Sequence, residues 1–532
     1  MNYENVLNWG HVYGLHNVSA LIGTSYIDES GTRVSGSRND LIIDDPKYAW
    51  VSMATSSSQG ASGGMDDPHR LLSYFGRANY SYDDRYMMTF TIRRDGSSRF
   101  GPNNRFGTFP SVSVGWNLMN ERFMSGVKWL DALKLRASWG RNGNERIGDF
   151  QYMSTISTYG IGYIFGSQVD GQSISTGAAP TKVESPDLKW ETIEQTNIGI
   201  DAVLFGSLTV NLDYYRKNTK DLLLTTPTPL FLGNSFPTTN AGAVRNEGFE
   251  AFVSYKKKIG KLNMTVSGNM AYNKNEVTYV GTDTKVVTGT SMQGMVGTIT
   301  RMEEGHPLAY FWGYRTLGIF QNQDEVNAYV HVNEDGTKQL IQPDAKPGDF
   351  RFQDTNGDGQ ITDDDRQNLG NPYPDFTYGF NLNLEYRGFD LTINTSGTVG
   401  NKIFSVLRRM DLPASNYPSW ALGRWHGEGT SNTIPRVTTE DNNGSWTKPS
   451  DFHVKDGDYF RIRNIMLGYT TKRLKNYYIE SLRVYASVNN LFTFTKYDGY
   501  DPEIGGGVMS TGVDSGVYPH PRTISFGINV TF

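Results

Sequence analysis

The last ten residues, Thr523-Ile-Ser-Phe-Gly-Ile-Asn-Val-Thr-Phe532, alternate without a break. Ile524, Phe526, Ile528, Val530 and Phe532 fall on one side, and Ser525, Gly527, Asn529 and Thr531 on the other. A period of two is a β-strand with one oily and one polar face. The pattern returns in Leu208, Val210, Leu212 and Tyr214, in Leu262, Met264, Val266 and Met270, and in Phe376, Tyr378, Phe380, Leu382, Leu384 and Tyr386. Each run is close to the ~9–11 residues with which a tilted strand crosses a bilayer. One such strand fits any half-buried sheet. Its recurrence along the chain predicts an all-β fold, a transmembrane antiparallel β-barrel in which every second residue meets lipid. Aromatic residues at the run ends, such as Tyr80, Tyr82, Tyr86, Tyr214, Tyr386 and Phe389, suit the lipid–water boundary.

Other classes are excluded by what the chain lacks. With 20% charged residues it has no apolar run of the ~18 residues a spanning helix needs. There is no cysteine, hence no disulfide framework or thiolate metal site. A net charge of -5 without a long basic cluster argues against a nucleic-acid partner. The eight histidines are scattered, with no HExxH pair. Gly60-Ala61-Ser62-Gly63-Gly64 matches the spacing of a nucleophile elbow but sits in a Ser/Gly-rich run without the strand and helix that strain such a turn. No catalytic residues are assigned, and the chain is not read as an enzyme.

The connections alternate in length. Short turns occur at Tyr82-Asp83-Asp84-Arg85, Phe205-Gly206-Ser207, Lys257-Lys258-Ile259-Gly260 and Arg387-Gly388. Long joins rich in Gly, Pro, Asn, Asp and Ser cover approximately 141–190, 218–245, 274–305, 321–374, 400–458 and 493–522. In outer-membrane barrels short turns face the periplasm and long loops face outward. About 14–16 strands result, depending on whether Asn2–Asn8 and Ala309–Phe320 are included. Around Ile462 to Ile465 the apolar phase slips, which predicts a β-bulge. Nothing in the pattern divides residues 1–532 into separate domains. The sequence Met1-Asn2-Tyr3-Glu4 starts directly in strand-like residues, without an export signal, so a piece of a larger protein is expected.

One segment has metal-ligand spacing. In Asp354-Thr-Asn-Gly-Asp-Gly-Gln-Ile-Thr-Asp-Asp-Asp365, oxygen donors stand at positions 1, 3, 5, 7, 9 and 12: Asp354, Asn356, Asp358, the Gln360 carbonyl, Thr362 and Asp365. Gly359 at position 6 allows the sharp turn. We expect a structural Ca²⁺ in an extracellular loop, with Asp365 one methylene shorter than the usual Glu. Trp420, Trp425, Trp446 and Tyr373 lie in long polar joins, where rings either pack internally or stack on a ligand, and are not assigned as ligands.

Strings along nearly the whole chain resemble SusC-like (SusC/RagA) TonB-dependent outer-membrane transporters, in their C-terminal barrel portion. They include Pro186-Asp-Leu-Lys-Trp-Glu191, Gln195-Thr-Asn-Ile-Gly199, Asp213-Tyr-Tyr-Arg-Lys-Asn-Thr-Lys-Asp-Leu-Leu223 and Val244-Arg-Asn-Glu-Gly-Phe-Glu250. Further strings are Gly370-Asn-Pro-Tyr-Pro-Asp-Phe-Thr-Tyr-Gly-Phe380, Asp456-Gly-Asp-Tyr-Phe-Arg-Ile-Arg-Asn-Ile465, Asn489-Asn-Leu-Phe492, Gly499-Tyr-Asp-Pro-Glu503 and Tyr518-Pro-His-Pro-Arg522. The resemblance implies an integral outer-membrane barrel of about 22 strands, closed by a plug domain, energised through TonB and lidded by a SusD-like lipoprotein that helps capture oligosaccharide or peptide. The plug, the TonB-binding segment and the signal peptide do not occur in this sequence. Competing expectations are a self-contained passive porin and a secreted sugar-binding β-protein.

Overall fold

The computed structural model describes residues 1–158, 160–163, 175–226, 233, 235, 237–408, 412, 416–471 and 479–532. Among them fifteen strands belong to the main sheet and follow one another in chain order. They are β1 (Asn2–Tyr13), β2 (His16–Glu29), β3 (His69–Tyr82), β4 (Tyr86–Ser97), β5 (Phe106–Asn117), β6 (Leu130–Asn144), β7 (Glu191–Leu204) and β8 (Leu208–Lys220). The series continues with β9 (Gly242–Ile259), β10 (Leu262–Val280), β11 (Phe376–Tyr386), β12 (Phe389–Val399), β13 (Tyr459–Thr471), β14 (Ser481–Thr495) and β15 (Thr523–Thr531). No helix among the described residues is long and apolar enough to cross a membrane.

The chain divides into two compact units. The first comprises Met1–Gly115, Ser138–Glu194 and Thr219–Ala241. Here β1 to β4 pair antiparallel, β1 with β2 and β3 with β4 through tight turns, with Tyr13 opposite His16 and Tyr82 opposite Tyr86. Between β2 and β3 rises a hairpin of Thr32–Arg38 and Gln59–Met65. The Gly60–Gly64 run is one edge of that hairpin, with Ser62 opposite Ser35, so no strained strand-to-helix turn carries its serine. The unit's apolar core is Phe100, Phe109, Leu188 and Trp190.

The second unit comprises Trp116–Ala137, Gln195–Asn218 and Gly242–Phe532. Its strands β9 to β15 pair antiparallel in sequence order. The β11–β12 turn places Arg387 at φ 50 and Gly388 at φ 95. Two central residues with positive φ make the primed turn whose twist matches the flanking strands. The expected bulge is present, as a register shift between Ile462 and Asn464 in the β13–β14 pair.

The Asn2–Asn8 segment is a sheet strand, but Ala309–Phe320 is not. Its residues form two short strands, Tyr310–Gly313 and Thr316–Ile319, in small sheets of their own. Tyr310, Phe311 and Phe320 are fully buried. A segment buried on both faces is apolar without being a membrane strand. The two long joins expected at 274–305 and 321–374 are therefore one, from residue 281 to 375. Within it and the later joins lie three apolar clusters, centred on Phe311 and Phe404, on Phe350 and Phe352, and on Phe320 and Val326.

Burial along the strands is inverted. On β4, Met88, Phe90 and Ile92 are 46%, 43% and 43% exposed, while Thr89, Thr91 and Arg93 between them are half-buried. β14 follows the same order at Arg483 and Val484, the arginine half-buried and the valine 42% exposed. A water-soluble sheet puts these faces the other way round; oil outside suits a hydrocarbon solvent.

Candidate functional site

The polar faces of the second unit's strands are bonded to one another. Arg136 on β6 reaches Asp201 on β7 at 3.0 Å and Asp213 on β8 at 2.5 Å, and Asn211 donates to Asp201 at 2.6 Å. Arg483 on β14 spans to Asp390 on β12 at 2.5 Å. Asn464 on β13 donates to Asn489 on β14 at 2.7 Å. Four of these groups alternate with exposed apolar residues on their own strands: Asp201 with Ile200, Asp213 with Leu212, Asp390 with Phe389, Arg483 with Val484. Half-exposed ion pairs of this kind contribute little stability one by one. Together they make a hydrophilic wall of bonded groups with both signs of charge, and so without a strong field of one sign.

Above that wall the long joins are pinned by a buried ionic cluster. Arg461 on β13, 2% exposed, pairs with Asp501, with Glu503 at 3.0 Å and with the Thr493 hydroxyl at 2.9 Å. Arg463 holds the other Glu503 oxygen at 2.8 Å. His520 meets Asp501 at 2.9 Å. Burial alone pushes the Asp501 carboxyl up, but bonds from the Glu503 backbone N–H, Arg461 and His520 outweigh it and hold the group down at about 2. Asp501, Glu503 and His520 are the one acid–imidazole trio among the described residues compact enough for a metal. The two arginines already neutralise it. The cluster had no separate signal in the sequence beyond three of the family-like strings, those ending at Ile465, Glu503 and Arg522, which meet here in space.

The calcium-type loop is laid out as successive Asx turns. Asp354 accepts from the Gly357 and Gly359 N–H groups at 2.7 and 2.9 Å, Asn356 from Asp358 at 3.0 Å, and Asp358 from Gln360 at 2.9 Å. Asp365 is fully buried and accepts from Thr355 at 2.6 Å and Thr362 at 2.8 Å. The Thr362 hydroxyl accepts from the Asp364 N–H at 3.3 Å, so all the predicted ligands except the Gln360 carbonyl are drawn on by loop N–H groups. The three carboxylates do not converge as tightly as Asp501, Glu503 and His520 do.

The loop aromatics separate into two kinds. Trp446 is 3% exposed and donates its indole N–H to the Arg436 carbonyl at 2.9 Å, a core role. Trp425 packs beside Phe350 and Phe352. Tyr373 is half-buried. Trp420 lines two open cavities. Near it His453 is buried, and burial pushes its imidazole down to about 4, so it is neutral at ordinary pH.

A family model described as TonB dependent receptor-like, beta-barrel matches residues 2–491. TonB-dependent receptor P39 of Formosa agariphila is 33% identical over 99% of this chain and 52% of its own length. TonB-dependent receptor SusC of Bacteroides thetaiotaomicron is 30% identical over 87% of this chain and 44% of its own length. The chain thus spans about half the length of the curated relatives it matches. In fold it is similar to the structure of the RagAB peptide transporter, with a TM-score of 0.76 at 22% identity over 100% of this chain and 55% of that one. With oily strand faces exposed, a wall of bonded polar groups behind them and a model match over most of its length, the chain belongs to the TonB-dependent receptor-like β-barrel family of integral outer-membrane transporters, which are not enzymes.

Proposed function

We propose that this chain is the barrel part of an importer that takes oligosaccharides or peptides through the outer membrane. The observation that carries the reading is the bonded polar wall behind exposed apolar strand faces, with folded rather than ragged joins at one end. The SusC-like strings of the sequence imply oligosaccharide or peptide as cargo, and RagAB, similar in fold, is named as a peptide transporter. A SusD-like lipoprotein on the outer face and TonB, reached through other parts of a longer receptor, are the partners this reading implies. The test is uptake. Cells carrying the full-length receptor should accumulate fluorescent oligosaccharide or peptide only while TonB is present. Uptake that continues without TonB refutes energy coupling, and a large steady conductance of this chain alone in planar bilayers supports a passive pore in its place.

The Asp354–Asp365 loop is proposed as a structural Ca²⁺ site that stiffens the 281–375 join. Spacing supports it, as do Asx turns that already set the backbone in the needed curve. Titration calorimetry should record micromolar-to-millimolar Ca²⁺ binding that Asp358→Ala removes; an absence of heat in the parent chain disposes of the site.

A further inference from the structure

Trp420 stands between two cavities of the second unit, of about 420 and 610 Å³, and Phe452, Lys455 and Asp498 are walls of both. Volumes of this size suit a small ligand or a short stretch of a longer one. Its indole stacks on the buried Trp446, centroids 6.2 Å apart at 21°, and meets Phe452 edge-on at 5.8 Å. The ring is thus backed by the core on one side and fixed in angle. Tyr417 and Tyr500 continue the aromatic lining in the smaller cavity, and Asn432 contributes an amide to the larger.

The polar groups here are unspent. Among the described residues neither Lys455 nor Asp498 has a salt-bridge partner; the Lys455 ammonium lies 5.1 Å from the Phe452 ring centre. Asn432 uses its oxygen on the Ile319 N–H at 2.9 Å and keeps its NH₂ donors. Three main-chain donors on or next to the lining, by contrast, are already used: the Thr316 N–H goes to Asp451, and the N–H groups of Phe404 and Val406 go to Gly512 and Asp514. A bound peptide draws much of its affinity from a free strand edge, and these donors offer none. A sugar needs something else. Its ring carbons present an apolar face to an aromatic plane, and its hydroxyls donate and accept, so a cation, a carboxylate and an amide all serve it.

We propose that this cleft binds a stretch of oligosaccharide, one ring lying on Trp420 and its hydroxyls reaching Lys455, Asp498 and Asn432. The proposal rests on the import reading above and selects glycan over peptide as the cargo class. The folded chain in detergent, checked by heat-modifiable gel mobility, is applied to an array of plant, algal and microbial oligosaccharides, and the strongest binder is titrated by calorimetry. Trp420→Ala should weaken that binder by about tenfold or more, the loss expected from truncating a central aromatic anchor, while Trp420→Phe keeps most of the affinity and controls for folding. The proposal is overturned if the parent binds no glycan on the array, if Trp420→Ala binds as well as the parent, or if the cleft takes a tryptic peptide mixture in a Trp420-dependent way. Uptake by the full-length receptor separates the two readings. Import that survives Trp420→Ala removes the cleft and leaves the importer, whereas a parent receptor that imports nothing removes the importer whatever the array shows.

Discussion

Removing the Arg461 side chain should loosen the last long join while leaving the strands paired. Arg461 and Asp501 are 2% and 4% exposed, so Arg461→Ala leaves a carboxylate in a dry site without its main counter-charge. Breaking a buried pair from one side costs about 3–5 kcal/mol. The lower end applies here, because His520 and the Glu503 N–H still reach Asp501 and Glu503 retains Arg463. About 3 kcal/mol is a factor of roughly 10² in a local opening equilibrium. Hydrogen exchange reads it directly: the Glu503 and His520 amides, bonded to Asp501 in the parent, should exchange about a hundredfold faster, with amides of β10 and β11 unchanged. Pairing Arg461→Met with Asp501→Asn removes both charges and should restore at least half of the protection. Acid should mimic the single variant. The carboxyl sits at about 2 against an ordinary 3.8, so its contribution is whole above roughly pH 4 and is lost as pH falls from there through 2. An exchange change below threefold for Arg461→Ala, or a double variant no better than the single, refutes the reasoning.

Three further outcomes follow from the same geometry. Phe90→Arg on the exposed face of β4 should destabilise the chain by about 2–4 kcal/mol in urea-driven unfolding from phospholipid vesicles, and Thr91→Arg, on the opposite face, by much less; equal effects would mean that these strands do not face lipid. Gly388→Ala forces a Cβ into positive φ and to within 2.6 Å of the Thr470 carbonyl, so refolding into vesicles should show a lower midpoint by about 1–2 kcal/mol, and an unchanged midpoint would contradict the turn assignment. His453 is held neutral by burial, with its imidazole at about 4 against 6.5, so it favours the folded joins above pH 6.5 and loses that effect as pH falls through 4. His453→Phe should flatten the acid sensitivity of protease resistance in the joins over that interval, and an unaltered profile would place the sensitivity elsewhere.

Strands and joins differed in how far the sequence revealed them, for a physical reason. A membrane strand needs only period two and aromatic ends, both written locally, so residues 523–532 and 376–386 could be placed from their own composition. The joins are stabilised by partners far along the chain. Arg461 finds Asp501 40 residues later, and Thr316 takes Asp451 at a separation of 135. No local pattern encodes such pairings. The 309–320 error has the same root, since full burial of Tyr310 and Phe311 gives the apolar density of a strand without its alternation. Ligand spacing in 354–365 was visible, but the use of Asp365 as a buried cap for Thr355 and Thr362 was not.

On the import reading proposed above, that division bears on how such a chain can change its cargo. In the wall, Arg136 shares one network with Asp201 and Asp213, and Arg483 is bonded to Asp390, so a change at one group disturbs its partners on neighbouring strands. The joins have apolar cores of their own, so substitutions at their edges need not disturb the strands. Trp420 is seated on one such core through Trp446 and Phe452. Recognition built there can vary residue by residue while the barrel stays fixed. If the wall itself discriminated between solutes, exchanging the Arg136 cluster for a neutral set such as Arg136→Gln with Asp201→Asn and Asp213→Asn would alter which cargo the full-length receptor imports. The geometry predicts a change in rate and stability and none in cargo preference, and competition uptake with paired labelled solutes decides between the two.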